Sequence, residues 1–308
     1  MSEAMLTPAV GEVPSVMAED RARAALVGAL QRPRYEVLPL AATADQVQEH
    51  VPTHIPITVT ASPRRGIEPT LALAETLAGL GFAVVPHLAA RLFADESQLA
   101  ETLHRLDEAG VRNAFVVGGD SELPVGDFPD AVTLLAAMQR LRSDSGRGHC
   151  LDQVGIAGYP EGHPLVSDEK LSESLAEKQS LATYVVTQMC FDPKVVSRWV
   201  SQVRRIGVRL PVYVGVAGKI DSRKLMEVSA RIGIGGSARF LRKHRHAWAR
   251  LLLPGAYRPD RLVRELVSEL AEPSRGVVGL HVYTLGAVAS TERWRQQALD
   301  RLTGDGDR

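Results

Sequence analysis

Glu36 stands inside a short apolar run, residues 34–40 (RYEVLPL). A carboxylate in apolar surroundings is costly to bury as a charge, so it tends to keep its proton near neutral pH. Such a group can act as a general acid. The alternative, which this run by itself favours, is a strand-end glutamate that reaches solvent or pairs with an arginine.

Further polar side chains fall near the ends of other apolar runs. They are Thr58, Thr60, His87, Asp120, Tyr159, Glu161, His163, Gln188, His281 and Tyr283. For any one of them, a structural role as a helix cap or loop tether explains the residue equally well. The functional interpretation therefore rests on the whole set.

The residue types at two sites, the Gly-Gly-Asp segment at 118–120 and Gln188, suggest a particular role. Gly118 and Gly119 precede Asp120, and paired glycines let the backbone approach a flat ligand closely, with the aspartate presented beside it. Aspartate is also a common turn or N-cap residue. Gln188 lies in an otherwise apolar run, where its amide can hydrogen-bond both edges of a heterocycle or serve as a satisfied core amide.

Apolar, β-branched runs alternate with segments of helical period along the whole chain. Strands are predicted at 34–40, 55–60, 82–87, 113–118, 154–158, 183–190, 211–216 and 277–283. Helices are predicted at 42–51, 70–80, 96–109, 131–141, 167–181, 193–206, 222–232, 237–253, 259–270 and 290–302. Gly81 and Gly110 are stop signals for two of the helices.

This order predicts an α/β fold, a single (β/α)8 TIM barrel domain over 1–308 with extra helices between strands seven and eight. An amphipathic segment, 18–30, is expected to cap the bottom of the barrel. The rival is an open doubly wound sheet, which the lack of Gly-x-Gly-x-x-Gly after an early strand disfavours. In a barrel, the carboxyl ends of the strands form the active site, so the polar set converges on one mouth.

Composition limits the function classes. Lys+Arg and Asp+Glu both number 36, and this balance argues against a nucleic-acid or anionic-membrane partner. The two cysteines, Cys150 and Cys190, favour a reducing cytoplasm. No basic leader and no apolar run of roughly 20 residues is seen. The ends, 1–17 and 303–308, are expected to be frayed, and the basic run 239–246 to be a solvated helix face.

Several motifs together resemble the methylenetetrahydrofolate reductase family. Residues 154–164 (VGIAGYPEGHP) resemble its AxYPExHP motif, and 182–192 (ATYVVTQMCFD) its AxxxITQFFFD motif. Weaker matches are VPHL at 85–88, Gly-Asp at 119–120, LHVYTL at 280–285 and YEVLP at 35–39. They follow the family order from strand one to strand eight, so the resemblance covers the whole barrel.

The resemblance implies reduction of 5,10-methylenetetrahydrofolate to 5-methyltetrahydrofolate. Glu36 would protonate the p-aminobenzoate nitrogen as the five-membered ring opens. Asp120 would hold the pterin and stabilise the iminium cation, with Gln188, Gly119 and Tyr283 also binding substrate. The residues implied to line the cofactor space are Thr58, Thr60, His87, Gly118, Tyr159, His163 and Lys178.

Departures from the family pattern concern the flavin. Gly118 replaces an arginine, 127–130 (DFPD) replace Tyr-Ala-Ser-Asp, and 175–178 (LAEK) replace a basic LKRK of which only Lys178 stays cationic. Ser222 replaces a loop phenylalanine. These changes predict direct hydride transfer from NADH without bound FAD. The alternatives are an FAD-dependent reductase with altered phosphate contacts and a non-catalytic folate-binding barrel. NADPH as the donor and the oligomeric state stay open.

Overall fold

Eight parallel strands close into a barrel in chain order in the computed structural model, with β8 paired to β1. The structure describes residues 16–144, 151–163, 166–219 and 259–304. The strands are β1 (Arg34–Val37), β2 (Ile57–Val59), β3 (Val84–Ala89), β4 (Asn113–Val117), β5 (Gln153–Gly158), β6 (Tyr184–Thr187), β7 (Val212–Ala217) and β8 (Val277–Tyr283). The predicted (β/α)8 architecture is confirmed.

Helices follow the strands around the outside of the barrel. They are α1 (Val16–Gln31), α2 (Thr43–His50), α3 (Glu68–Gly79), α4 (Glu96–Glu108), α5 (Ala131–Asp144), α6 (Asp168–Lys178), α7 (Pro193–Arg205), α8 (Pro259–Glu265), α9 (Val267–Ala271) and α10 (Val288–Thr303). The helix predicted at 259–270 is therefore two helices. Those predicted at 222–232 and 237–253, and the basic run 239–246, lie outside the described residues.

Local sequence chemistry explains where several elements begin and end. Gly81 and Gly110 adopt positive φ, 86° and 70°, just after α3 and α4, as their stop signals predicted. Asp192 accepts a hydrogen bond from the Lys194 N–H and caps α7. β1 ends at Val37, before the predicted 40, where Pro39 lacks a donor for the ladder.

The two ends of the chain differ in part from expectation. Val16 and Met17 belong to α1, and Thr303 to α10, so the frayed ends predicted at 1–17 and 303–308 are wrong for these three residues. The amphipathic segment is a helix, as predicted, and it packs on α9, α10 and β8.

Strand β1 alternates between the barrel interior and the helical layer. Tyr35 faces α10, where its hydroxyl donates to Glu292 Oε2 at 2.7 Å. The same carboxylate accepts from Arg295 Nε at 2.8 Å and Nη2 at 2.6 Å. Because side chains on a strand alternate, Arg34 and Glu36 both point into the barrel. The buried pair therefore fixes the register of β1 and the direction of Glu36.

Glu292→Gln should be strongly destabilising, because it leaves the buried Arg295 cation without its counter-ion. Removing one partner of a buried pair costs about 3–5 kcal/mol. The matched control is Glu265→Gln, whose partner Arg261 has an 80% exposed side chain, and which should cost less than about 1 kcal/mol. Urea unfolding monitored by circular dichroism measures both. Equal losses in the two variants would contradict an anchoring role for Glu292.

Candidate active site at the carboxyl ends of the strands

Glu36 lies in the barrel interior between two histidines from distant strands. Its Oε2 is 3.0 Å from His281 Nε2, on β8, and 3.5 Å from His87 Nε2, on β3. The exposed fraction of the side chain is 12% for Glu36 and His87 and 1% for His281. The structure therefore joins two of the predicted site residues and adds His281, to which the sequence assigned no role.

The electrostatics of this cluster overturn one expectation. Burial raises the pKa of Glu36, but the hydrogen bond from His281, the interaction with His87 and their electrostatic attraction lower it more, to about 2. Glu36 is therefore ionised at neutral pH, and the prediction that it keeps its proton is wrong for this state. The alternative interpretation paired Glu36 with an arginine, whereas in the structure its partners are the imidazoles of His87 and His281.

His281 is the neutral donor in the cluster. Burial lowers its pKa, which the hydrogen bond and charge of Glu36 only partly offset. Its Nε2–H then donates to the carboxylate, while its buried Nδ1 has no partner among the described residues. His87 Nε2 likewise has no hydrogen bond within the described residues, and its ring packs 4.8 Å from that of Phe115. These two ring nitrogens can therefore still take part in a further hydrogen bond or a proton transfer.

Tyr283 connects this cluster to the end of β6. Its ring meets that of His281 edge to face at 5.0 Å, and its hydroxyl donates to the Thr187 carbonyl at 3.0 Å. Gln188 follows β6, which ends earlier than predicted, and its side chain is exposed. The Gln188 Oε1 accepts from the Met189 N–H at 2.9 Å. The amide is thus oriented by its own loop at the mouth of the barrel.

A second group of predicted residues comes from the loops after β4 and β5. The rings of Tyr159 and His163 meet edge to face at 5.2 Å. Burial and, to a smaller extent, the charge of Asp120 raise the pKa of Tyr159 to about 12. Burial lowers the pKa of His163, and Asp120 opposes that shift. Asp120, which is exposed, therefore lies close enough to both rings to act on them.

The two glycines before Asp120 differ in what they require. Gly119 has φ of 92°, and a Cβ there would lie 3.3 Å from the Ala89 Cβ, so the backbone needs glycine. A Cβ on Gly118 would meet nothing within 4 Å. The space at Gly118 therefore admits a larger residue, and the absence of a side chain there is not imposed by packing.

Glu161 shows why two of the sequence motifs occur together. Its Oε1 accepts from the N–H groups of Phe191 at 2.8 Å and Asp192 at 3.3 Å. The glutamate of the YPExHP segment thus ties the loop after β5 to the loop after β6, whose Asp192 caps α7. Sequence alone left Glu161 without a role, and only the loop-tether alternative pointed to this contact.

The remaining predicted residues are spread more widely. Thr58 is buried on β2, in register with Glu36, and the Thr60 N–H donates to the Val37 carbonyl at 3.1 Å. Lys178 is buried at the end of α6, where burial lowers its pKa and the charges of Asp130 and Glu177 oppose that shift. No interaction of the described residues joins Lys178 to the Glu36 cluster.

The described residues hold neither a metal-binding cluster nor a membrane-spanning helix. No group of three or more His, Cys, Asp or Glu side chains there has an arrangement that could hold a metal ion. None of the described helices combines the length and apolar character that crossing a bilayer requires.

The sequence of the chain matches a known family. The family model for methylenetetrahydrofolate reductase matches residues 33–233. Methylenetetrahydrofolate reductase 1 of Schizosaccharomyces pombe is 33% identical over 123 residues, covering 37% of this chain and 19% of that protein. The probable methylenetetrahydrofolate reductase (NADPH) of Caenorhabditis elegans is 30% identical over 122 residues, covering 38% and 18%. The chain therefore spans only about a fifth of the length of these relatives.

Among solved structures, a GH18 chitinase from Pseudoalteromonas aurantia superposes with a TM-score of 0.51. It shares 10% sequence identity and covers 86% of this chain and 99% of its own. At this identity the likeness concerns the barrel fold alone.

Glu36→Gln should remove a pH-dependent part of the stability. The folded pKa of Glu36, about 2, lies below the ordinary 4.5, so between these values the unfolded chain binds more protons. The ionised Glu36 carboxylate therefore contributes fully to the free energy of unfolding above pH 4.5, and this contribution is lost as the pH falls toward 2. Below pH 4.5 the free energy of unfolding of the wild type should fall relative to the variant by up to about 1.4 kcal/mol per pH unit.

Urea unfolding of both proteins, at a series of pH values from neutral to below 4.5, measures this difference. A difference that stays constant over the series would mean that Glu36 carries no depressed pKa in the folded protein.

Proposed function

The chain belongs to the methylenetetrahydrofolate reductase family, and from this premise we propose that it reduces 5,10-methylenetetrahydrofolate to 5-methyltetrahydrofolate with hydride from NADH. The observation that carries the proposal is the buried carboxylate between two imidazoles at the mouth of the barrel. This arrangement can hold and deliver one proton in a site with little water. The reaction needs one proton and one hydride.

The proton is consumed in the step that opens the five-membered ring. The p-aminobenzoate nitrogen takes up a proton, its bond to the bridging carbon breaks, and an iminium cation forms at the pterin nitrogen. Hydride from the reduced nicotinamide then adds to that carbon and gives the methyl group. The oxidised nicotinamide and 5-methyltetrahydrofolate leave.

Glu36 cannot store this proton alone at neutral pH. Its pKa of about 2 lies far below neutral pH, so the carboxylate is ionised before the substrate binds. We therefore propose that the proton enters the cluster when the substrate binds, with Glu36 passing it to the substrate nitrogen. His87, the more exposed of the two histidines, is the route from solvent.

Asp120 and Gln188 fit the other half of the reaction. Asp120 is an exposed carboxylate beside Tyr159 and His163, and an anion there stabilises the iminium cation that accepts hydride. Gln188 offers its amide to the donor and acceptor edge of the pterin. Gly119 keeps the backbone beside Asp120 free of a side chain. These roles follow the family motifs and agree with the positions of the residues around the mouth.

The residues present do not fit the diphosphate of a flavin dinucleotide. Gly118 carries no guanidinium, and buried Lys178 has Asp130 and Glu177 close by. Arg91 already donates to the Pro129 and Ser121 carbonyls, each at 2.8 Å. A diphosphate needs cationic donors, and the cations around this loop are engaged elsewhere. We therefore route no step through a flavin, and the hydride passes directly from the nicotinamide.

Glu36→Gln should lower turnover by about 100- to 10,000-fold, the usual contribution of a general acid–base group. Glutamine keeps an oxygen that can accept from His281 but cannot relay a proton. Steady-state oxidation of NADH with methylenetetrahydrofolate measures the loss. The matched control is Glu173→Gln on the exposed face of α6, which should keep wild-type turnover. A folded Glu36→Gln protein with near wild-type turnover would exclude Glu36 from the proton transfer.

The purified protein should be colourless and active without added flavin. Because the nicotinamide and the folate must then be bound together, initial rates should follow a sequential pattern. The absorbance spectrum and a matrix of initial rates at varied NADH, NADPH and folate test this expectation. A stoichiometric flavin spectrum with ping-pong kinetics would instead support the flavin-dependent alternative, and binding of folate without turnover would support a non-catalytic barrel.

A further inference from the structure

Arg34 places a positive charge inside the opposite, amino-terminal end of the barrel. It is the first residue of β1, and only 7% of it is exposed. Its guanidinium lies between the rings of Tyr184 and Tyr213, 4.1 Å and 4.2 Å from their centroids. Stacking on aromatic faces offsets part of the cost of burying the cation.

The hydrogen bonds of Arg34 are incomplete. Its Nη2 donates to Gln153 Oε1 at 3.3 Å and to the Tyr213 hydroxyl at 3.4 Å, both long contacts with neutral groups. Its buried Nη1 has no partner among the described residues. Within the same part of the chain, no carboxylate forms an ion pair with Arg34. Since arginine stays protonated in proteins, this is a buried cation without a counter-ion.

A cavity adjoins this cation. It has a volume of about 310 Å³ and is lined by Arg34 together with residues at the amino ends of β2 to β5. Its rim carries the exposed Arg112 and Asp152, and its apolar wall includes Pro56, Phe82 and Val84. Arg34, Arg112 and Asp152 carry a formal charge of +1 together. The cavity is thus polar and cationic at one side and apolar at the other.

We propose that this cavity binds a small monovalent carboxylate, with its oxygens accepting from Arg34 and its apolar part against the wall formed by Pro56, Phe82 and Val84. The planar guanidinium suits a carboxylate, to which it can donate two parallel hydrogen bonds. The single excess positive charge favours a monoanion over a dianion. The apolar wall favours a short aliphatic acid over an inorganic ion.

This site is separate from the reaction proposed at the other end of the barrel. Arg34 precedes Glu36 by two residues, so its Cα lies about 7 Å lower along the strand axis. None of the cavity residues is assigned to folate or nicotinamide. The carboxylate is therefore an additional ligand, and the proposal stands or fails independently of the reductase activity.

Titration of the whole protein with sodium butyrate, acetate or chloride at constant ionic strength tests the proposal. Thermal unfolding and isothermal titration calorimetry are the readouts. Butyrate and acetate should raise the unfolding midpoint in a saturable manner with one site per chain, butyrate more tightly than acetate. Arg34→Met, which keeps an unbranched apolar stem without the guanidinium, should weaken binding at least tenfold.

A second pair of variants decides the question even if Arg34→Met does not fold. Ala83 is exposed and lines the cavity, so Ala83→Trp should occlude it, while Ala83→Ser should leave it open. Binding of carboxylates to Ala83→Ser but not to Ala83→Trp supports the site. Equal responses of these two variants, or chloride binding as tightly as butyrate, would overturn the proposal.

Discussion

The charge of Glu36 inside the barrel is the constraint on which the site depends. An ionised carboxylate in a dry interior is stable only with hydrogen-bond donors around it. Here the donor is His281, with His87 close by, and these residues come from β8 and β3. Closing the barrel is what brings β8, which is far from β1 in the chain, against β1. The same closure therefore completes the fold and sets the ionisation state of the site.

The interior of β1 carries a second charge, and the barrel accommodates the two in different ways. Glu36 is stabilised by imidazoles, whereas Arg34 is sandwiched by tyrosine rings. A stacked ring provides attraction but no acceptor for each N–H group, so hydrogen-bonding capacity stays unused at Arg34. The outward residue between them, Tyr35, is tied to Glu292 on α10. Strand periodicity thus assigns each of three adjacent side chains a distinct environment.

Loop contacts shape the mouth around this interior. Glu161 ties the loop after β5 to the backbone after β6, which holds Gln188 and the start of α7 in a fixed relation. Arg91 ties the loop after β4 to the segment after β3, and in doing so uses a cation that a phosphate would need. These tethers hold the loops around the mouth in a fixed relation to one another.

The sequence by itself determined the architecture and predicted most residues of the candidate site. Regular alternation of apolar runs and helical segments predicts the barrel, because each pattern reports which face of an element is buried. The family motifs predicted Glu36, His87, Asp120, Gln188 and Tyr283, and the structure places Glu36, His87 and Tyr283 around His281. Strand ends were predicted less well: Gln188 lies beyond β6, which ends at Thr187.

Only the tertiary structure decided the protonation state of Glu36 and the environment of Arg34. From the sequence, burial predicts a protonated acid, and burial does raise the pKa of Glu36. The opposing interaction comes from His281, 245 residues away, and no local pattern shows that the two side chains meet. The tyrosines that stack on Arg34 are likewise distant in the chain. Electrostatic effects depend on distances between atoms, which sequence periodicity does not specify.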